Sequence, residues 1–139
     1  MKIFIACSKH FYSQIPPIRE ALEDAGHSIT LPNSYDRPFR EEEMKKRGPH
    51  AHAEWKSAMM REHEPNISKN DAILVLNLEK YGKKNYIGGA TFMEIVTAWQ
   101  MNKHIYFYNP LPDCIFTDEL TAMRPTVLHG DLAMIPHTV

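Results

Sequence analysis

Runs of apolar positions along the chain come in two lengths. Lys2-Ile-Phe-Ile-Ala-Cys7 is short and mostly apolar, and a polar stretch from Ser8 to Gln14 follows, which is the pattern of a buried strand opening into a loop. Pro16 and Pro17 suit a first helical turn. Ile18, Ala21, Leu22 and Ala25 then recur at helical spacing until Gly26 stops the pattern. Ser28-Ile-Thr-Leu31 reads as a second strand ended by Pro32 and Asn33. The opening is therefore a βαβ unit, with parallel strands joined by a right-handed crossover.

From Asp36 to Asn70 the pattern turns polar, and a Gly48-Pro49 break divides a short helix from a longer one predicted from about His52 to His63. Trp55, Ala58, Met59 and Glu62 fall on its packing face, Lys56 and Arg61 face water, and Pro65 ends it. Asp71-Ala-Ile-Leu-Val-Leu-Asn77 is a continuous apolar run and predicts a central strand covered on both faces. A loop from Leu78 to Gly89 leads into a helix over about Thr91–Asn102, with Phe92, Ile95 and Trp99 on its core face. The strand Ile105–Tyr108, the helix Asp118–Met123 and an edge strand Thr126–His129 complete the alternation. The expectation is one three-layer α/β domain over residues 1–139, with a mainly parallel, five-stranded, flavodoxin-like (Rossmann-like) sheet. Its site is expected at the carboxyl ends of strands one and three.

Composition narrows the function. Seventeen carboxylates against sixteen Lys plus Arg give a net charge of -1, which argues against a nucleic acid polymer as partner, since such binders carry a strong basic excess. No run approaches the length of a membrane span and no signal-peptide pattern opens the chain, so a cytoplasmic protein with no membrane partner is expected. Cys7 and Cys114 are expected as reduced thiols. Eight histidines, all protonated, would take the formal charge to +7, which makes the surface pH-sensitive below about pH 6.5.

Asn85-Tyr-Ile-Gly-Gly-Ala-Thr-Phe-Met-Glu-Ile-Val-Thr-Ala98 passes from a glycine pair into a helix just after the central strand. Such a turn exposes unpaired N–H groups suited to an anionic or polyhydroxylated ligand. Glu94 has two readings. With Thr91 as N-cap it completes a capping box; alternatively it points into the crevice as a nucleophile or as the stabiliser of a developing cation. The segment is not a dinucleotide fingerprint, and no phosphate-loop motif occurs. Ser8, Lys9 and His10 follow strand one where an α/β sheet receives ligand, with Ser8 the candidate phosphate donor or simply part of a polar surface loop. Lys80, Lys83 and Lys84 either steer a phosphate or form an exposed charged loop. His50, His52 and His63 lack a cysteine or carboxylate set at metal-ligand distances, so neither metal nor cofactor is expected. Cys7 lies in a buried strand, which disfavours a reactive thiol.

The opening strand with its small polar loop (Ile3 to Ser8), the Asn70-Asp71 pair heading an apolar strand, and the Gly-Gly-Ala-Thr-Phe-Met-Glu-Ile-Val-Thr-Ala stretch resemble the nucleoside 2-deoxyribosyltransferase-like family. That family includes deoxynucleoside monophosphate N-glycosidases, and the resemblance follows the order of elements over about residues 1 to 110. It implies that Glu94 is the nucleophile that attacks the anomeric carbon of a deoxyribose, forming a glycosyl-enzyme that water or a second base resolves. Where family members carry an acid/base aspartate the chain has His63, flanked by Glu62 and Glu64. The resemblance thus passes that role to His63 or Glu64. Asp71 is implied to be structural or sugar-positioning, and Ser8, Asn77, Gly88 and Gly89 to line the pocket. Gly88 stands where transferases carry a base-contacting aspartate, Val96 stands where the family favours glycine, and the loop from Asn77 to Gly89 is longer.

The expected function is cleavage of an N-glycosidic bond, or deoxyribosyl transfer, on a small-molecule nucleoside or nucleotide. The alternative is a nucleotide-sensing or interaction module of the same fold without turnover. A bare domain of this length has no long lid, so a homo-oligomer is expected to close the site, with Tyr35–Arg47 or the chain's tail near a neighbour's pocket.

Overall fold

A computed structural model describes residues 1–138. Five strands form one sheet in the order β2-β1-β3-β4-β5: β1 (Lys2–Ala6), β2 (Ser28–Thr30), β3 (Ala72–Val75), β4 (His104–Phe107) and β5 (Thr126–Val127). Every pairing is parallel. The expected flavodoxin-like single α/β domain is what forms, with β3 in the middle of the sheet.

Sequence alternation explains the two cores. Ile3, Ile5 and Cys7 face one side of the sheet with Ala72, Leu74 and Leu76, where they meet Phe11, Ile15 and Leu22. Phe4 and Ala6 face the other side with Ile73 and Val75, where they meet Ile67, Ile95, Ala98 and Leu120. A strand buried on both faces has no polar positions to spare, which is why β3 reads as a continuous apolar run.

The helices are α1 (Ile15–Asp24), α2 (Arg40–Arg47), α3 (Pro49–Arg61), α4 (His63–Ser68), α5 (Gly89–Gln100) and α6 (Thr117–Ala122). α1 carries its prolines in the first turn, and Gly26, at φ +95°, takes the left-handed conformation just beyond its end. α2 has Glu41, Glu42 and Glu43 in its first turn and Lys45, Lys46 and Arg47 in its last, an arrangement that complements the helix dipole.

Several local expectations are corrected. Ser8–Gln14 is not a loop: Lys9–Gln14 is a 3-10 helix whose N-cap, Ser8, accepts a hydrogen bond from the His10 N–H at 3.2 Å. The long helix starts at Pro49 and ends at Arg61, and Pro65 does not end it but sits in the first turn of α4, where a missing N–H costs little. α3 buries none of its residues. Ala58 and Glu62 are exposed, whereas Lys56 is only half-exposed, so this helix turns a partly covered face toward a cavity and not toward the core. Trp99 is 50% exposed; only Phe92 and Ile95 of its expected trio pack inward. Cys7 and Cys114 are both free. Among the described residues no helix is long and apolar enough to cross a membrane.

Candidate functional site

In the order β2-β1-β3 the chain direction of the connections reverses at β1 and β3, and a crevice opens outside the carboxyl ends of those strands. A cavity of about 270 Å³ lies there. Cys7 and Ser8 reach it from the end of β1, Glu41 from α2, Lys56 from α3, His63 from α4 and Glu94 from α5. α2 packs on α3, and both stand as a wall of this same cavity. Arg37 and Glu41, within the Tyr35–Arg47 segment expected near a neighbour's pocket, line the chain's own.

Glu94 sits in the second turn of α5 and is 7% exposed. The capping box does not form: the N-cap of α5 is Gly88, no side chain caps it, and Thr91 is already inside the helix and buried. Starting the helix three residues earlier moves Glu94 beyond reach of any cap and turns it toward the cavity. Burial pushes its carboxyl up to about 8, and the Lys56 ammonium opposes that rise. An acid so placed keeps its proton at neutral pH.

His63, the first residue of α4, is 7% exposed, and its Nε2 lies 3.9 Å from Glu94 Oε2. Burial lowers the imidazole below its ordinary value, and Lys56 lowers it further. At neutral pH the pair therefore holds one proton, on the carboxyl. Around it, burial raises Cys7 to about 12, with Glu94 adding to the rise, so the thiol is not an available nucleophile. Burial also raises the Tyr12 phenol, with contributions from Cys7 and Glu94; Tyr12 stays a hydroxyl able to donate a hydrogen bond into the cavity.

The structure brings Glu94, His63, Ser8, Gly88 and Gly89 together on this cavity. Ser8 Oγ accepts from His10, which leaves its O–H to donate. A Cβ on Gly88 would meet Tyr86 Oη at 3.4 Å, whereas one on Gly89 would meet nothing within 4 Å, so the glycine pair leaves open space beside the first N–H groups of α5.

Three expected site residues lie elsewhere. Glu64 is exposed and borders an outer groove with Met60, Met93 and Met101. Asp71 precedes β3 at the amino edge of the sheet, opposite the cavity, where its carboxylate accepts from the Lys2 N–H at 2.8 Å. Asn77 is fully buried, and its amide donates to the carbonyls of Asn109 and Pro110 at 3.0 and 2.8 Å while accepting from the Asn109 N–H at 2.9 Å. It pins the loop after β4 to the end of β3.

Of the three loop lysines, Lys80 lines the cavity with its ammonium 4.7 Å from the Tyr86 ring centroid, while Lys83 and Lys84 are exposed. No group of three or more metal-ligating side chains occurs among the described residues. His52, from the histidine set weighed for metal, instead shares Glu41 with Lys56: His52 Nε2 and Lys56 Nζ lie 2.9 and 3.2 Å from the same Glu41 oxygen. Glu41, Lys56 and Tyr12 were not among the expected site residues. The signal for Lys56 is its spacing, because His52, Lys56, Met59 and His63 recur every three or four residues on one stripe.

The chain was compared with protein-family models and with curated proteins, and it matches none of them.

Proposed function

We propose that the protein cleaves the N-glycosidic bond of a nucleoside or nucleotide, with Glu94 as nucleophile and His63 as proton carrier. The observation that carries this reading is the Glu94–His63 pair: a buried carboxyl and a buried imidazole, 3.9 Å apart, on the floor of a cavity at the sheet's switch point. The resting pair has one proton on Glu94. Its transfer to His63 Nε2 gives a carboxylate and an imidazolium, the two groups that the reaction needs. The carboxylate then bonds to the anomeric carbon as the bond from that carbon to the base nitrogen breaks, and the imidazolium protonates the departing base. Neutral His63 next takes a proton from water as it attacks the glycosyl ester, which frees the sugar and returns the pair to its starting protonation. A free base in place of water completes a transfer instead.

Ser8, Tyr12 and the first N–H groups of α5 supply donors for sugar or phosphate oxygens, and Lys9, Arg37, Lys56 and Lys80 give the cavity a cationic rim. Deoxynucleosides and their 5′-monophosphates, incubated with and without a free acceptor base and followed by chromatography, test the reading. Released base or exchanged nucleoside, lost on Glu94→Gln, is the expected result; turnover undiminished in that variant overturns it.

A second reading, a nucleotide-sensing module without turnover, is favoured by the burial of Glu94, which raises its carboxyl to about 8 and so favours the protonated, non-nucleophilic form at neutral pH. Under it, nucleotides raise the melting temperature of the protein and of Glu94→Gln alike, with no base released.

The protein is also proposed to act in the cytoplasm as a homo-oligomer. The support for self-association is the outer groove between α3–α4 and α5, where the exposed Met60 and Met93 lie beside Arg61 and Glu64. An apolar strip with charges of both signs beside it can pair with its own copy across a two-fold axis.

A further inference from the structure

Lys56 lines one cavity with two carboxylates, Glu41 and Glu94. Its Nζ is 3.2 Å from Glu41 Oε2, and the same oxygen receives His52 Nε2 at 2.9 Å, so a single carboxylate on α2 fastens two side chains one turn apart on α3. A further ion pair, Lys9 with Glu42, ties α2 to the 3-10 helix that also lines the cavity. Lys56 and Glu94 line the same space, and the Lys56 side chain is 37% exposed, which leaves its flexible stem room to move its ammonium without any backbone change.

We propose that Lys56 is a positioning residue for the reaction at Glu94: Glu41 on α2 holds its ammonium at the cavity wall, and the ammonium, when it swings from Glu41 toward Glu94, favours the carboxylate that reacts. This rests on the reading of Glu94 as the reacting group.

The groups facing Glu94 support that division of labour. From the end of β1 comes Cys7, from the 3-10 helix Tyr12 and from α4 His63. The thiol and the phenol are neutral, and burial disfavours the imidazolium. Of the cations that line the cavity, Lys9 from the 3-10 helix, Arg37 before α2, Lys56 from α3 and Lys80 from the loop after β3, it is Lys56 whose charge favours the ionised form of Glu94. Glu41 is well suited to compete for it: burial raises its carboxyl, but hydrogen bonds from His52 and Lys56 outweigh burial and hold it below the ordinary value, so it stays charged. A helix carrying a permanent carboxylate therefore draws the cation away from a buried acid that ionises only with difficulty. Anything that shifts α2, a ligand included, changes the partition of the ammonium between the two.

The test follows the Glu94 carboxyl directly, by carbon NMR of the full chain labelled at glutamate carboxyls, with the resonance assigned by its loss in Glu94→Gln. Lys56→Met should raise the Glu94 midpoint by about one pH unit, a tenfold loss of carboxylate at any pH below it, and Lys56→Arg should leave the midpoint near that of the parent. Glu41→Gln should lower the midpoint, and should lower it less when introduced together with Lys56→Met. An unmoved midpoint in Lys56→Met, or a Glu41→Gln shift of equal size in both backgrounds, overturns the proposal. Should Lys56→Met fail to fold, as judged by its melting curve, Glu41→Gln decides alone: a midpoint that does not fall overturns the proposal. The alkaline limb of the kcat/KM profile should move with the midpoint, which a merely structural lysine would not achieve. If the midpoints move as stated but no nucleoside or nucleotide is turned over, the glycosidase reading fails and the coupling stands. If Glu94-dependent turnover is found and the midpoints do not move, the coupling fails and the glycosidase reading stands.

Discussion

His63 and Glu94 face each other on the cavity floor, Nε2 to Oε2 at 3.9 Å, each side chain 9% exposed. Neither is charged at rest, because burial raises the acid and lowers the base. An ion pair made from them in response to substrate would form inside a low-dielectric space, where its field is strong and few waters screen it. The distance exceeds a hydrogen bond, so in the proposed reaction the pair closes before the proton crosses.

Replacing Glu94 by Gln removes the proposed nucleophile and keeps the shape. Base release should fall by about 10³-fold or more, while binding of a nucleotide, read as a shift in melting temperature, should persist. His63→Ala should cost about 10²-fold, and the loss should be smallest for substrates whose base departs without protonation. Equal losses across leaving groups would remove His63 from the proton path.

The pH profile of kcat/KM follows from the one proton that the pair must hold. Below the lowered imidazole value both groups are protonated and no carboxylate can form. Above about 8 Glu94 has lost its proton to solvent and none is left to give to the base. Activity should therefore pass through a bell with its alkaline limb near pH 8 and its acid limb below the ordinary histidine value of 6.5. A rate still rising above pH 9 would mean that Glu94 acts as a carboxylate without any proton donor.

How much of this was legible in the sequence follows from what sets each feature. The strands were legible because burial on both faces leaves a continuous apolar run in β3, and Gly26 and the paired prolines mark the limits of α1 by backbone geometry alone. Glu94 was visible as a candidate but carried two readings, since Thr91 and Glu94 have capping-box spacing; only the start of α5 at Gly89 separates them. The stripe of α3 is not legible in the same way, because an amphipathic pattern shows which face is covered and not what covers it. Here the cover is a cavity wall, so Lys56 belongs to the partly buried side. Asp71 heads the most apolar strand, yet a residue that precedes a strand belongs to the amino edge, across the sheet from a site at the carboxyl ends.

Asp71 should accordingly matter for stability and not for turnover. Its carboxylate accepts the Lys2 N–H at 2.8 Å and joins the start of β1 to β3. Asp71→Ala should cost about 1 kcal/mol by denaturant titration, with kcat/KM unchanged. Glu64→Gln should likewise leave kcat/KM unchanged, because its side chain borders the outer groove. A loss of turnover in either variant at full folding would place a reacting group outside the cavity.

Self-association through that outer groove is testable by sedimentation. The parent should run as a dimer at micromolar concentration, and Met93→Lys, which introduces a charge at a 40% exposed apolar position, should run as a monomer. Because Met93 precedes Glu94 in α5, the variant's pH titration at Glu94 should be compared with the parent's. A monomeric parent would show that the cavity, walled by its own α2 and α3, is complete in one chain.

Stability should depend on pH in a direction that Glu94 fixes. Its carboxyl titrates at the ordinary 4.5 in the unfolded chain and at about 8 in the folded one, so between those values the folded state binds the extra proton. Stability from this group is fully present below pH 4.5 and is lost as pH rises through the window to about 8. The whole difference corresponds to about 5 kcal/mol, and water entering the open cavity should reduce the measured loss to about 2 kcal/mol. Glu94→Gln has no proton to lose, so its stability relative to the parent should increase from pH 5 to pH 9 and level off beyond. His63 acts at the other end: its lowered value makes the folded state resist protonation, so stability from His63 falls as pH drops below 6.5. Denaturant unfolding of the parent, Glu94→Gln and His63→Ala at pH 5, 7 and 9 separates the two. A Glu94→Gln difference that stays flat across the range would mean that water already reaches the carboxyl freely, and the cavity floor would then be no place to shelter a proton.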